Sequence, residues 1–182
     1  MSTDTDAPSA QPTRQVRFVA YGTPAGQGQV SFLGKGRPAV HTNRARLLPW
    51  REAVSAAAQE AAGTHPHVML PKALDDRTHP CVRCDRPRAQ HGLLDGPLEV
   101  DLTVAVAPSA AAVRRGDPAP ANRTHSDIDH HARAVLDALS HAAVWHDDAQ
   151  VVDLRVRKIW TVSGTALDRP GAQVRVRKAV WA

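Results

Sequence analysis

The sequence has no long apolar run. No segment of its 182 residues approaches the roughly 18 consecutive apolar residues of a membrane-spanning helix. Residues 1–13 are polar and acidic, with neither the apolar segment nor the cleavage pattern of a secretory signal. These absences argue against a membrane protein and predict a cytoplasmic one.

Cysteine is scarce as well, and both cysteines lie in residues 64–96, a segment without sustained periodicity that resembles a loop insertion. Cys81 and Cys84 have the C-x2-C spacing of half a zinc knuckle, and His91 follows them. His79 is the nearest candidate for the fourth ligand, with His65 or His67 as alternatives. A polar loop of this length is rarely ordered without a stabilising cross-link, which favours a structural Zn²⁺. The alternative is a pair of free surface thiols in a reducing cytoplasm.

What the chain does contain is enough for one folded domain. Its apolar content is 42%, its formal net charge is +5 and its pI is near 9.9. We expect a disordered tail over residues 1–14 and a single domain over residues 15–182. The positive charge suits a polyanionic partner, although solubility alone is the other explanation.

Apolar periodicity predicts an α+β fold, in which a mixed sheet packs against two main helices. The expected strands cover Val16–Tyr21, Pro97–Pro108, Val151–Trp160 and Gln173–Trp181, the helices cover Arg44–Ala62 and the region after Ser126, a glycine-rich hairpin reaches Thr42, and Ser109–His125 is a basic loop.

Two acidic pairs bracket the second helix. Ser126 occupies an N-cap position and Asp129 a capping-box position, so this helix is expected to begin at Asp127. Asp147 and Asp148 follow its end. Four carboxylates gathered by one short helix would repel one another, and a divalent cation such as Mg²⁺ or Mn²⁺ would remove that repulsion.

The same run resembles the RusA-like crossover-junction endodeoxyribonucleases, which resolve Holliday junctions and are frequent in phages. The matching positions are Asp127-Ile128-Asp129, Arg133, Leu136-Asp137-Ala138-Leu139, Trp145 and Asp147-Asp148-Ala149-Gln150-Val151-Val152-Asp153. The resemblance implies a homodimer that cleaves DNA with Mg²⁺ held by Asp127, Asp129 and Asp148. The family usually has Asn and Lys where this chain has His130 and Arg133.

Roles for the remaining candidates follow from their charge. Asp147 would assist as a metal ligand or hydrogen-bond the attacking water, and Arg133 would stabilise charge on the phosphate or tie Asp129 to Asp137. Basic residues proposed to contact the DNA backbone are Arg114, Arg115 and Arg123 in the loop and Arg155, Arg157, Arg175 and Arg177 on one sheet face.

Three other functions remain open. A catalytically impaired DNA-binding protein would explain the departures at His130 and Arg133. Asp129-His130-His131 also spells the DHH signature of another phosphoesterase family, which would place both histidines beside the metal. A phosphoesterase for small substrates would require a closed pocket, and the basic loops disfavour it.

Overall fold

The computed structural model describes residues 15–28, 30–32, 39–41, 43–64, 94–121 and 125–180. The proposed tail at residues 1–14 and nearly all of the proposed insertion lie outside the described residues. The elements are β1 (Gln15–Tyr21), β2 (Val30–Phe32), β3 (Ala39–His41), α1 (Arg44–Ala62), β4 (Leu98–Val106), α2 (Ala110–Arg115), α3 (Ile128–His141), a 3₁₀ turn (Asp148–Gln150), β5 (Val151–Trp160) and β6 (Gly171–Lys178).

Four strands form a mixed sheet in the order β1-β6-β4-β5. The β4–β5 pair is parallel, whereas β6 runs antiparallel to both β1 and β4. Strand alternation puts Val100, Leu102 and Val104 of β4 on one buried face. Strands β2 and β3 form a separate antiparallel pair, in the region where the glycine-rich sequence predicts a hairpin.

The two long helices cover the apolar face of the sheet. Helix α1 buries Leu47, Trp50 and Val54, and α3 buries Val135 and Leu139, all in one core with the sheet. Gly63 ends α1 with a φ of 65°, a left-handed conformation that glycine adopts without steric cost. The predicted α+β architecture, with a mixed sheet and two main helices, is therefore confirmed. No helix among the described residues is both long and apolar enough to cross a membrane.

The structure corrects the predicted start of α3. The helix begins at Ile128 and Asp127 is its N-cap residue, although the Asp127 side chain makes no capping hydrogen bond. The Ser126 hydroxyl does not cap the helix. It accepts a hydrogen bond from the backbone N–H of Gly26 at 3.3 Å, because another loop packs against this end of α3.

The predicted loop over Ser109–His125 is also partly wrong, because it contains the short helix α2. Ser109 caps α2 by accepting a hydrogen bond from the Ala112 N–H at 3.1 Å. Gly116 ends the helix with a φ of 67°. The cap residues at both ends were present in the sequence, but the surrounding proline and alanine residues obscured them.

The four arginines predicted to contact DNA from one sheet face lie on β5 and β6, and these two strands are not neighbours. In the structure β4 lies between β5 and β6. The register aligns Asp101 with both Arg155 and Arg175, so an acidic strand separates the two basic ones. The four arginines do share one face, and the carboxylates of β4 lie between them.

Candidate metal centre and nucleic-acid surfaces

The N-terminus of α3 gathers three groups that could bind a cation. Asp127, Asp129 and His130 each present one ligand atom, and these atoms all lie within 4.8 Å of one another. Both aspartates are exposed and His130 is partly exposed. Two carboxylates and one imidazole at this separation fit a divalent cation with oxygen and nitrogen ligands.

A loop from the other end of the chain fixes this helix terminus. The backbone N–H of Gln27 donates a hydrogen bond to the carbonyl of His130 at 2.9 Å. Gly26 packs so closely that a β-carbon there would lie 2.4 Å from Cβ of Ser126 and 2.8 Å from Cβ of His130. Asn43, just before α1, donates in turn to the Gly26 carbonyl. These contacts hold in place the backbone that carries Asp127, Asp129 and His130, which we call the cluster.

A pocket of about 420 Å³ extends from the cluster along α3. Asp129, Arg133 and Asp148 line it together with apolar side chains of α3 and β5. The structure thus brings Asp148 and Asp129 to one pocket, but Asp148 lies outside the close group formed by Asp127, Asp129 and His130.

The two acidic residues of the 3₁₀ turn have different environments. Asp147 is the N-cap of the turn, where its Oδ1 accepts a hydrogen bond from the Ala149 N–H at 2.8 Å, and Gln150 completes a capping box. Burial raises the pKa of the Asp148 carboxyl, and the charge and hydrogen bond of Asp147 raise it further. Asp147 has a structural partner, whereas Asp148 faces the pocket.

Arg133 does not tie Asp129 to Asp137. Asp137 pairs instead with Arg51 of α1, with the nitrogen and oxygen 3.4 Å apart. Within the described part of the chain, Arg133 has no ion-pair partner. It is exposed beside Asp129 and is free to meet an anionic ligand.

A second group of basic side chains lies behind the cluster. His131 is only 1% exposed, and neither of its ring nitrogens has a hydrogen-bond partner among the described residues. Burial lowers its pKa to about 4, with Lys158 as the next cause. Lys158 donates to the Ser126 carbonyl at 2.9 Å, and the His125 ring meets Trp160 edge-on with centroids 5.4 Å apart.

The predicted DNA-contact arginines occupy two regions. Arg114 and Arg115 end α2, where Arg115 already pairs with Asp117 at 2.6 Å, while Arg123 lies outside the described residues. On the open sheet face the predicted arginines have acidic partners, with one exception. The pairs are Arg155 with Asp153, Arg175 with Asp101 and Arg177 with Glu99, and Arg157 has none among the residues described.

The candidate zinc ligands Cys81, Cys84, His79 and His91 all lie outside the described residues. The zinc site therefore stays a prediction from the sequence.

Fold and site together define an α+β domain that displays carboxylates and an imidazole at a helix N-terminus, next to a pocket edged by arginine. The family model for Endodeoxyribonuclease RusA matches residues 82–177, just over half of the chain, and the chain belongs to this family.

Curated relatives agree over a shorter stretch. The Crossover junction endodeoxyribonuclease RusA of Escherichia coli strain K12 is 45% identical over 47 residues, and so is the protein of that name from Shigella sonnei strain Ss046. The aligned stretch is 26% of this chain and spans 39% of each relative.

Two parts of the site had no role in the sequence prediction, namely Lys158 and the loop at Gly26 and Gln27 that packs on α3. His130 was placed beside the metal only under the alternative DHH assignment. A signal existed for Lys158, because strand alternation puts it on the same face as Leu154 and Val156, where an apolar residue is expected. The contact of that loop joins residues about 100 positions apart, so no local pattern could reveal it.

Proposed function

We propose that this protein is a divalent-metal-dependent endodeoxyribonuclease that cuts branched DNA, with Holliday junctions as its substrate class. The observation that carries the proposal is the group formed by Asp127, Asp129 and His130, which opens onto a pocket shared with Asp148 in a chain of the RusA family. The relatives' name, Crossover junction endodeoxyribonuclease RusA, agrees with cleavage of DNA at crossover junctions.

The side chains divide the work by charge. Asp127, Asp129 and Asp148 would hold the cation, which when bound supplies Lewis acidity at the scissile phosphate. Arg133 stands in the same pocket with no carboxylate partner among the described residues, so it is placed to bind a phosphate oxygen. Arginine stays protonated near neutral pH, so its role is charge stabilisation and not proton donation.

Two-fold symmetry gives a physical reason for a junction substrate. A homodimer presents two equivalent sites, and a four-way junction presents two equivalent strands to be cut. We therefore include a homodimer in the proposal, together with the arginines at α2 and on the open sheet face as contacts to the DNA backbone.

The alternative assignment to the DHH phosphoesterases is no longer supported. It required His130 and His131 side by side at the metal, whereas His131 is buried in the core. A DNA-binding protein without catalysis remains the second candidate, because Arg133 replaces the lysine that is usual in the family.

The test is cleavage of an end-labelled four-way junction, a linear duplex and a small phosphodiester, each with Mg²⁺, Mn²⁺ or EDTA. We expect paired nicks near the crossover that require the cation. Asp129→Asn should lower the cleavage rate by about a hundredfold or more, because one charged ligand of the cation is lost.

Glu60→Gln is the matched control, since Glu60 is an exposed acid near the end of α1 that does not line the pocket of Asp129 and Asp148. It should cleave like the unmodified protein. Junction binding without cuts would favour the non-catalytic candidate, turnover of the small phosphodiester alone would favour a small-substrate phosphoesterase, and full activity of Asp129→Asn would remove Asp129 from the mechanism.

A further inference from the structure

We infer that His130 is a nitrogen ligand of the cation and that it shifts the selectivity of the site from Mg²⁺ towards transition metals such as Mn²⁺. The inference deepens the proposed function, because it rests on the same cation site.

The first support is the geometry of the pair. Nε2 of His130 and Oδ2 of Asp129 lie 3.8 Å apart. This separation is too long for a direct hydrogen bond but suits two ligands of one ion. The side chains are 32% and 62% exposed, so an ion from solvent can reach both.

The second support is that the backbone holds His130 in place. Its carbonyl accepts the hydrogen bond from Gln27 N–H at 2.9 Å, and Gly26 fills the space beside its β-carbon. The neighbouring His131 points into the core and is 1% exposed. Of these two consecutive histidines, the fold therefore directs only His130 to the cluster, and little rearrangement is needed before a cation binds.

The selectivity follows from ligand chemistry. Mg²⁺ prefers an all-oxygen, octahedral set and gives up its waters reluctantly, whereas imidazole nitrogen is a good ligand for divalent transition metals. Asparagine at this position offers only an amide oxygen. Histidine at position 130 therefore favours the binding of Mn²⁺ over that of Mg²⁺ more than asparagine would.

The experiment compares the full-length protein with His130→Asn. Mn²⁺ affinity is measured by titration, with free Mn²⁺ followed by electron paramagnetic resonance, and Mg²⁺ affinity is measured by calorimetry. Pulsed electron paramagnetic resonance of bound Mn²⁺ detects coupling to a directly bound ¹⁴N nucleus. Mn²⁺ is also a suitable probe because thiolates are poor ligands for it, so the two cysteines do not compete.

We expect His130→Asn to lose the ¹⁴N signal and to bind Mn²⁺ at least about tenfold more weakly, with Mg²⁺ affinity changed by less than about threefold. The retained Mg²⁺ affinity shows that the variant is folded. His141→Asn is the control, since His141 ends α3 and contacts Ser55 of α1 at 3.4 Å. It should keep both the ¹⁴N signal and the Mn²⁺ affinity.

A persistent ¹⁴N signal in His130→Asn, an unchanged Mn²⁺ affinity, or an equal loss of Mn²⁺ and Mg²⁺ binding would overturn the inference. Its failure is distinct from failure of the proposed function. A protein that shows the His130-dependent ¹⁴N signal but cuts no DNA would uphold the ligand and reject the nuclease.

Discussion

At the residue scale, consecutive positions of α3 have opposite environments. His130 is partly exposed at the cluster, and His131 is enclosed by the core without a hydrogen-bond partner for either ring nitrogen within the described residues. Enclosing an imidazole in this way disfavours its charged form. His131 should therefore be a source of pH-dependent instability.

The pKa of His131 is lowered to about 4, below the usual value of 6.5, by burial first and then by neighbouring charges. The groups facing it are Lys158 of β5, His125, His130 and Asp127, of which only Asp127 acts in the opposite direction. The imidazole of His131 binds a proton more readily in the unfolded chain than in the folded one. The free energy of unfolding therefore keeps its full value, as far as His131 is concerned, above pH 6.5, and it decreases by up to about 3 kcal/mol as the pH falls towards 4.

His131→Leu should remove this pH dependence and raise the free energy of unfolding at pH 7 by about 1 kcal/mol or more, because no unpartnered nitrogen stays buried. Urea unfolding between pH 7.5 and 4.5, in EDTA to keep the cluster free of metal, measures both effects. His141→Asn is the control and should keep the slope of the unmodified protein. An unchanged slope in His131→Leu would refute this account.

At the scale of elements, the position of the cluster depends on the contact between the loop at Gly26 and the start of α3. Gly26→Ala places a methyl group 2.4 Å from Cβ of Ser126, so one of the two backbones must move. We expect Mn²⁺ affinity and junction cleavage to fall by about tenfold or more, since a displacement near 1 Å at a site is costly.

Gly171→Ala is a matched control for that variant. Its β-carbon would lie 2.4 Å from the carbonyl oxygen of Ala20, an equal overlap between β6 and β1. It should lower the free energy of unfolding but preserve Mn²⁺ affinity per folded molecule. Equal Mn²⁺ affinity in both variants would show that Gly26 does not position the cluster.

Elements with strong local signals were predicted nearly residue by residue. Arg44–Ala62 and Val151–Trp160 match the observed α1 and β5, because their apolar spacing and the final Gly63 are local properties. The order of the strands was missed, because pairing over a long stretch of chain leaves no periodic trace. The alternating acids of β4 and arginines of β6 were the available hint, since opposite charges favour adjacent rows.

In the candidate site too, local spacing predicted some positions and tertiary packing set the others. Asp127 and Asp129 come together because both belong to one helix terminus, which sequence spacing can predict. The position of Asp148 depends on how the 3₁₀ turn meets β5, and the place of His130 depends on the distant Gly26 loop. Tertiary packing decides these relations, so spacing predicted the acidic residues but not their relative distances.

At the scale of the whole molecule, helices cover one face of the sheet and the other carries charge. Three of the four predicted arginines form ion pairs on this face, with Glu99, Asp101 and Asp153. These pairs balance the charge of the three arginines without any ligand. Arg157 is exposed, and no described residue forms an ion pair with it. It is therefore the sharpest probe of whether this face contacts DNA.

If the open face binds the phosphate backbone, Arg157→Ala should reduce the slope of log affinity against log salt by about 0.9, the contribution of one phosphate contact on duplex DNA. Fluorescence anisotropy of a labelled four-way junction in EDTA measures that slope without cleavage. Arg51→Ala removes the same charge from α1, where Arg51 pairs with Asp137, and should leave the slope unchanged. Identical slopes for Arg157→Ala and the unmodified protein would show that Arg157 makes no phosphate contact, and would direct attention to Arg133, which lines the pocket with Asp129 and Asp148.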